Sequence, residues 1–361
     1  MDVRLSVLDQ SPIPEGSSGA EALRNTIDLA MLADGLGYHR YWVAEHHGTP
    51  GLASASPEAL IGPVAASTAR IRVGSGGVML PHYSPLKVAE TFSALSGIFP
   101  GRIDLGFGRA PGTDPMTTFA LQRDRRDAAP DDFPEQMAEL LGYLNGDLPA
   151  DHPFARLSAT LPGLPERPEP WLLGSSEQSG IWAAELGLPY AFADFINSGG
   201  AGIATRYRDD FVGSAAAHRT GPDLAVAVWA ICAETEEEAQ RLFSSSRMMM
   251  RLLGEGRLIA VPPVETALRF LASRPAPAGS RERRRRAIVG DPEQVRAGLE
   301  SVAAEYGADE LMVVSITHDH AARRRSYELI AELAGGLRAL GSSAGAAESG
   351  GAIGAELPGR V

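Results

Sequence analysis

Eight times along this chain, a short apolar segment gives way to a stretch whose apolar residues recur at helical spacing. The strand-like segments cover residues 3–8, 40–44, 71–80, 102–107, 170–173, 190–193, 224–232 and 311–316. Helical periodicity follows at 20–36, 57–68, 85–97, 132–145, 177–187, 203–218, 235–252 and 319–339, with one further helix at 292–306. A strand that must cross a helix to reach the next strand lies parallel to it, and the crossover is right-handed. Near-continuous apolar runs such as LAVAVWAIC and LMVVSI also ask for cover on both faces of the sheet. The pattern predicts an α/β fold, a (β/α)8 TIM barrel with loop insertions. An open doubly wound sheet is the alternative. Its GxGxxG turn after the first strand is missing, because Asp9-Gln10-Ser11-Pro12 stands there.

The 361 residues fit one such domain over 1–340, with long insertions at 109–131 and 253–290. One of these is expected to act as a lid. Residues 341–361 are rich in Gly, Ala and Ser and are expected to be disordered. No run of 18 apolar residues is present, so no membrane span is expected. The first strand begins almost at Met1, which leaves no room for a signal peptide and points to the cytoplasm. Cys232 is the single cysteine, too few for a disulfide scaffold or a multi-cysteine metal site.

Charge bears on partners. The 33 basic and 45 acidic residues leave a net charge of -12, which argues against nucleic-acid binding. The run from Arg281 to Arg286 is basic but has no interleaved aromatics, so it is read as solvated surface. Lys87 is the only lysine, and codon usage accounts for most of that bias.

Barrel active sites sit where the strands end. Polar residues gather at those positions: Asp9 and Gln10; Glu45, His46 and His47; Arg109; Ser175, Ser176 and Ser179; Asp194 and Asn197; His318, Asp319 and His320. Gly174-Ser175-Ser176-x-x-Ser179 can open a helix whose free N–H groups bind an anion, with Arg109 on the next strand as a charged partner. The same serines read equally as a plain N-cap. Gly76-Gly77 inside a strand implies a flat ligand against the backbone or a bulge for barrel closure. His46 and His47 are adjacent and point apart, so they make a poor metal pair. One of them is better suited to act as a base or proton donor. His318 and His320 could share a metal, but Asp319 is equally a cap for the last helix. No metal site is expected.

The segments LDQSP, YHRYWVAEHHGTPGLASASPEALIG, IRVGSGGVMLPHYSPLKVAE, FPGRIDLGFGRAPGTDP, WLLGSS, LGLPYAFA and ADELMVVSITHDH resemble the bacterial-luciferase-like flavin monooxygenases over about residues 3–335. Within that family the likeness is to single-gene bacterial members more than to the luciferase subunits. The resemblance implies a barrel binding FMN at the C-terminal strand ends and working as a two-component monooxygenase. A separate NAD(P)H:flavin reductase would supply FMNH2, O2 would be the co-substrate, and a C4a-hydroperoxyflavin would pass one oxygen to a small organic substrate. It further implies His46 as the catalytic histidine and Gly76-Gly77, often joined by a cis peptide, against the flavin ring. Arg109, Ser175, Ser176 and Ser179 would hold the phosphate, and the chain would be a homodimer. The substrate is left open among a long-chain aldehyde, a polyketide and another aromatic natural product. Gly108 stands where luciferase has a cysteine, Ser175 where it has a carboxylate, and residues 194–197 differ from many relatives. The alternatives are hydride transfer with the deazaflavin F420 and a non-catalytic flavin-binding protein.

Overall fold

The computed structural model describes residues 3–109, 114–122, 131–213, 220–274 and 286–333. The first half contains β1 (Arg4–Asp9), α1 (Gly19–Leu36), β2 (Arg40–Val43), α2 (Pro57–Ser67), β3 (Arg72–Met79), α3 (Pro85–Ile98), β4 (Ile103–Gly108), α4 (Pro115–Leu121) and α5 (Phe133–Asn145). The second half contains β5 (Glu169–Gly174), α6 (Glu177–Glu185), β6 (Tyr190–Ala193), α7 (Ala201–Asp209), β7 (Leu224–Cys232), α8 (Glu236–Gly254), α9 (Val264–Ser273), β8 (Ala287–Gly290), α10 (Pro292–Tyr306), β9 (Glu310–Val314) and α11 (His320–Leu333).

Strands β1 to β7 pair in chain order, and β9 joins β7 to β1, which closes a parallel barrel of eight strands. The short β8 lies outside that count and pairs with Trp229–Cys232 of β7. This strand falls in the insertion at 253–290, where the sequence pattern predicts none. Four residues beside an arginine run carry too little periodicity to register. The pattern also carries a helix to residue 218. Helix α7 ends at Asp209, where Asp210 leaves the helical path, and residues 214–219 lie outside the described set.

Local signals explain where the helices start. Ser18, Ser176, Thr235 and Asp291 each accept a backbone N–H from the first turn of α1, α6, α8 and α10. Gly37 ends α1 in a left-handed conformation, φ 84°, which glycine adopts freely.

Alternation along each strand divides the core. On β7, Leu224, Val226, Val228 and Ala230 pack outward against helices, while Ala225, Ala227, Trp229 and Ile231 face the barrel interior with Leu8, Trp42, Trp171, Ala191 and Met312. The inward positions of β6 and the first half of β7 are alanines, and so leave space.

Where the strands begin, charge fills the barrel. Arg40 is buried, with its guanidinium 2.9 Å from Asp104, 3.1 Å from Glu310 and 3.3 Å from Glu169, stacked 4.5 Å over the Trp171 ring. Arg72 also pairs with Asp104 and lies 3.0 Å from Glu169, while the Trp42 indole donates to Asp104 at 2.9 Å. Burial alone would raise the Asp104 carboxyl, but Arg40 and Arg72 outweigh it and hold it below its ordinary value. No helix among the described residues is long and apolar enough to cross a membrane.

Candidate active site

Where the strands end, the side chains enclose a cavity of about 450 Å³. His46, Gly76, Gly77, Arg109, Ser175, Ser176 and Ser179 all border it, as do Gln10 and Glu45. These residues come from the ends of β1 to β5 and the start of α6. A cavity of about 400 Å³ at the opposite end, near Arg4, Asp34, His39 and Arg70, is bordered by none of them.

His46 follows β2, and its backbone N–H donates to the Ser54 carbonyl at 2.9 Å. Its Nδ1 is shielded from solvent and has no hydrogen-bond partner among the described residues. Burial, and secondarily the neighbouring His47, lowers its pKa to about 4. The ring is therefore neutral near pH 7, with one nitrogen donating and the other accepting. His47 turns the other way. Its Nε2 lies 2.7 Å from Glu45, which also accepts from the Tyr83 hydroxyl at 2.9 Å and from the Met79 N–H at 2.9 Å. Glu45 thus ties the ends of β2 and β3 together, and His46 is left facing the cavity.

The Gly76–Gly77 peptide bond is cis. The β3–β4 register also shifts between Gly76 and Val78, so a bulge is present at the same place. A Cβ on Gly76 would lie 2.5 Å from Leu8 and 3.0 Å from Trp42. One on Gly77 would lie 2.8 Å from the Gly106 carbonyl oxygen and 2.9 Å from Leu173. Only a glycine pair lets the strand pass here, and it leaves bare backbone along the cavity wall.

Arg109 stands at the rim, half exposed, with its guanidinium 5.8 Å from the Trp182 ring centre and 3.7 Å from Asp131. Beside it is the start of α6. Ser176 and Ser179 form a capping box, and Ser179 Oγ also lies 2.8 Å from the Tyr190 hydroxyl. The N-cap reading therefore holds for these two serines, although both still border the cavity. The Ser175 carbonyl accepts from Asn197 Nδ2 at 2.9 Å. A helix start with serine hydroxyls and one guanidinium nearby suits an anionic group.

The other strand-end residues have structural work. Asp9 accepts from Arg323 at 2.6 Å, from the Tyr41 hydroxyl at 2.6 Å and from the Ser11 N–H at 2.8 Å. His318 contacts the Glu15 carbonyl at 3.2 Å and His320 contacts Asp28 at 2.8 Å, so the two do not face a common point. Asp319 accepts the Ala322 N–H at 2.9 Å, as a cap does. Among the described residues, no group of three or more His, Cys, Asp or Glu is placed to hold a metal. Arg286, the last of the basic run, pairs with Glu305 and lies 3.6 Å from Asp194. Residues 281–285 lie outside the described set, as do 110–113, 123–130 and 275–280 of the two insertions and the whole tail from 334.

Sequence reasoning missed the apolar walls. Phe133, Trp182, Phe195 and Ile196 border the cavity, with Phe133 and Trp182 at 5.4 Å between ring centres. Trp182 follows Ser179 by one helical step, which was the available signal.

The profile of the luciferase-like monooxygenase family matches residues 3–310. The chain is 42% identical to a luciferase-like monooxygenase of Escherichia coli (strain K12), over 91% of this chain and 96% of that one. It is 38% identical to N-acetyl-S-alkylcysteine monooxygenase of Bacillus subtilis (strain 168), over 91% of this chain and 98% of that one. The crystal structure of apo-MsnO8 superposes with a TM-score of 0.84 at 42% identity, covering 93% of this chain and 98% of that one. The chain belongs to the luciferase-like monooxygenases.

Proposed function

We propose that this protein is an FMN-dependent monooxygenase that receives reduced flavin from a separate NAD(P)H-dependent reductase and oxygenates a small organic substrate. The observation that carries this reading is the convergence of His46, Gly76-Gly77, Arg109 and Ser175-Ser176 on one cavity. The cavity's chemistry is split in the way FMN is split. Arg109 and the start of α6 offer charge and hydrogen bonds to a phosphate. Gly76-Gly77 offers flat, side-chain-free backbone to a ring. The unpartnered Nδ1 of His46 is a buried polar atom that a bound group would satisfy.

Bound reduced FMN would supply the two electrons that let O2 place one oxygen atom on the substrate and leave as water with the other. The chain's residues set the conditions for that chemistry. His46, neutral near pH 7, can hold or pass a proton through its ring nitrogens. Phe133, Trp182, Phe195 and Ile196 give the cavity an apolar wall, which disfavours water there. Ser179 acts through Ser176, by fixing the cap. The reading extends to a homodimer, as the family resemblance implies, working in the cytoplasm.

Anaerobic titration with reduced FMN, and separately with reduced F420, tests the cofactor. Admission of 18O2 with a thioether or an aldehyde then tests the reaction. The expected result is FMN uptake and one 18O atom in the product. Uptake of F420 alone, or flavin oxidation with no labelled product from any organic acceptor, would sink this reading.

A further inference from the structure

The segment after β6 touches two parts of the cavity at once. Residues 194–200 leave β6 in a tight turn, in which the Ile196 and Asn197 N–H groups both donate to the Ala193 carbonyl at 3.1 Å. The outer side of the turn is clamped. Asp194 accepts from the Tyr306 hydroxyl at 2.8 Å, Tyr306 in turn accepts the Gly200 N–H at 3.2 Å, and Arg286 donates to the Ser198 carbonyl at 3.1 Å. The inner side presents Phe195 and Ile196 to the cavity. Between them stands Asn197, whose amide nitrogen donates to the Ser175 carbonyl at 2.9 Å and whose amide oxygen accepts the Gly199 N–H at 3.2 Å.

That bond ends on an informative peptide. The Ser175 carbonyl and the Ser176 N–H belong to the same peptide group. The N–H makes only a long contact, 3.4 Å, to Ser179 Oγ. An anion that draws on this N–H polarises the peptide and makes its carbonyl a better acceptor. The gain falls on the Asn197 bond, and through it on the turn carrying Phe195 and Ile196.

We propose that Asn197 is a positioning residue that couples the two halves of the cavity: a phosphate at the start of α6 tightens the apolar wall formed by Phe195 and Ile196. This inference rests on the FMN reading above. It implies that the substrate wall is firmer when a phosphorylated flavin is in place, so that organic substrate binds more tightly to the flavin-loaded protein. The coupling is reciprocal, as linkage requires.

Riboflavin has the ring of FMN without the phosphate, so the pair separates ring effects from phosphate effects. Amide hydrogen exchange of residues 194–198 is measured in the full-length protein alone, with saturating FMN and with saturating riboflavin. FMN is expected to slow exchange there by about 1.5-fold more than riboflavin, the scale of one hydrogen bond strengthened by part of its worth. In Asn197→Ala, which still binds FMN, the FMN–riboflavin difference is expected to vanish. In Asn197→Gln, which keeps the amide, it should partly return. A merely structural role for Asn197 would change exchange equally with all ligands. Equal slowing by FMN and riboflavin in the wild-type protein overturns the coupling and leaves the FMN reading intact. A difference that survives in Asn197→Ala also overturns it. Failure of FMN to bind overturns the FMN reading, and the coupling with it.

Discussion

At the end of the barrel where the strands begin, Arg40, Arg72, Asp104, Glu169 and Glu310 neutralise one another at close range. At the end where the strands finish, the polar groups keep capacity in hand. His46 Nδ1 has no partner among the described residues, Arg109 is half exposed beside Asp131, and a run of glycine backbone is bare. Both groups of residues contain buried polar atoms, but only the second could accept a ligand without first breaking an ion pair. The difference teaches that burial of charge does not mark a site. Unsatisfied hydrogen-bonding capacity beside an open volume does.

The largest effect should come from breaking the closed end. Arg40→Met removes the cation that Asp104 and Glu310 share and should destabilise the protein by about 3–5 kcal/mol. Denaturant unfolding would show it, and an unchanged midpoint would mean that the plug is not structural. At the open end, His46→Ala should leave unfolding nearly unaltered while lowering oxygenated product per reduced flavin by about 100-fold. A large drop in stability instead would blur the contrast between the ends. Arg109→Ala should weaken FMN by about tenfold and leave riboflavin affinity unchanged, because one charged hydrogen bond to a phosphate is lost. Fluorescence titration of both flavins reads this directly.

A further effect separates the ends by pH. The His46 pKa is lowered from 6.5 to about 4, so the unfolded chain binds a proton that the folded one refuses. Stability is therefore lost as pH falls from about 6.5 towards 4. Asp104 is held below its ordinary 3.8, so its contribution is present above that value and is lost only as pH falls below it. His46→Gln should flatten the upper window and leave the lower one. If the stability of that variant still falls between pH 6 and 5 as in the wild type, His46 is not the group responsible.

The open end was legible in the sequence because barrel geometry says where to look: after each strand, for residues that do not belong in a strand. The closed end was not. Arg40 sits in YHRYWV and reads as an ordinary surface charge, and its partners lie 64, 129 and 270 residues away. Pairings at such separations leave no local trace. The same holds for Phe133 and Phe195, whose place on the cavity wall depends on how α5 and the β6 turn settle against the barrel. The capping box was the intermediate case. The serine spacing showed that α6 starts there, but the sequence did not show that Ser179 would be engaged by Ser176 and by Tyr190.

The inward alanines of β6 and β7 bear on how such a protein can diversify. Ala191, Ala193 and Ala227 border the cavity across the barrel from Gly76-Gly77. None of the three takes part in the ion pairs below or in the cap of α6. Substrate range in this scaffold can therefore drift in single small steps along one wall, while the parts that keep it folded and the parts that grip an anion stay as they are.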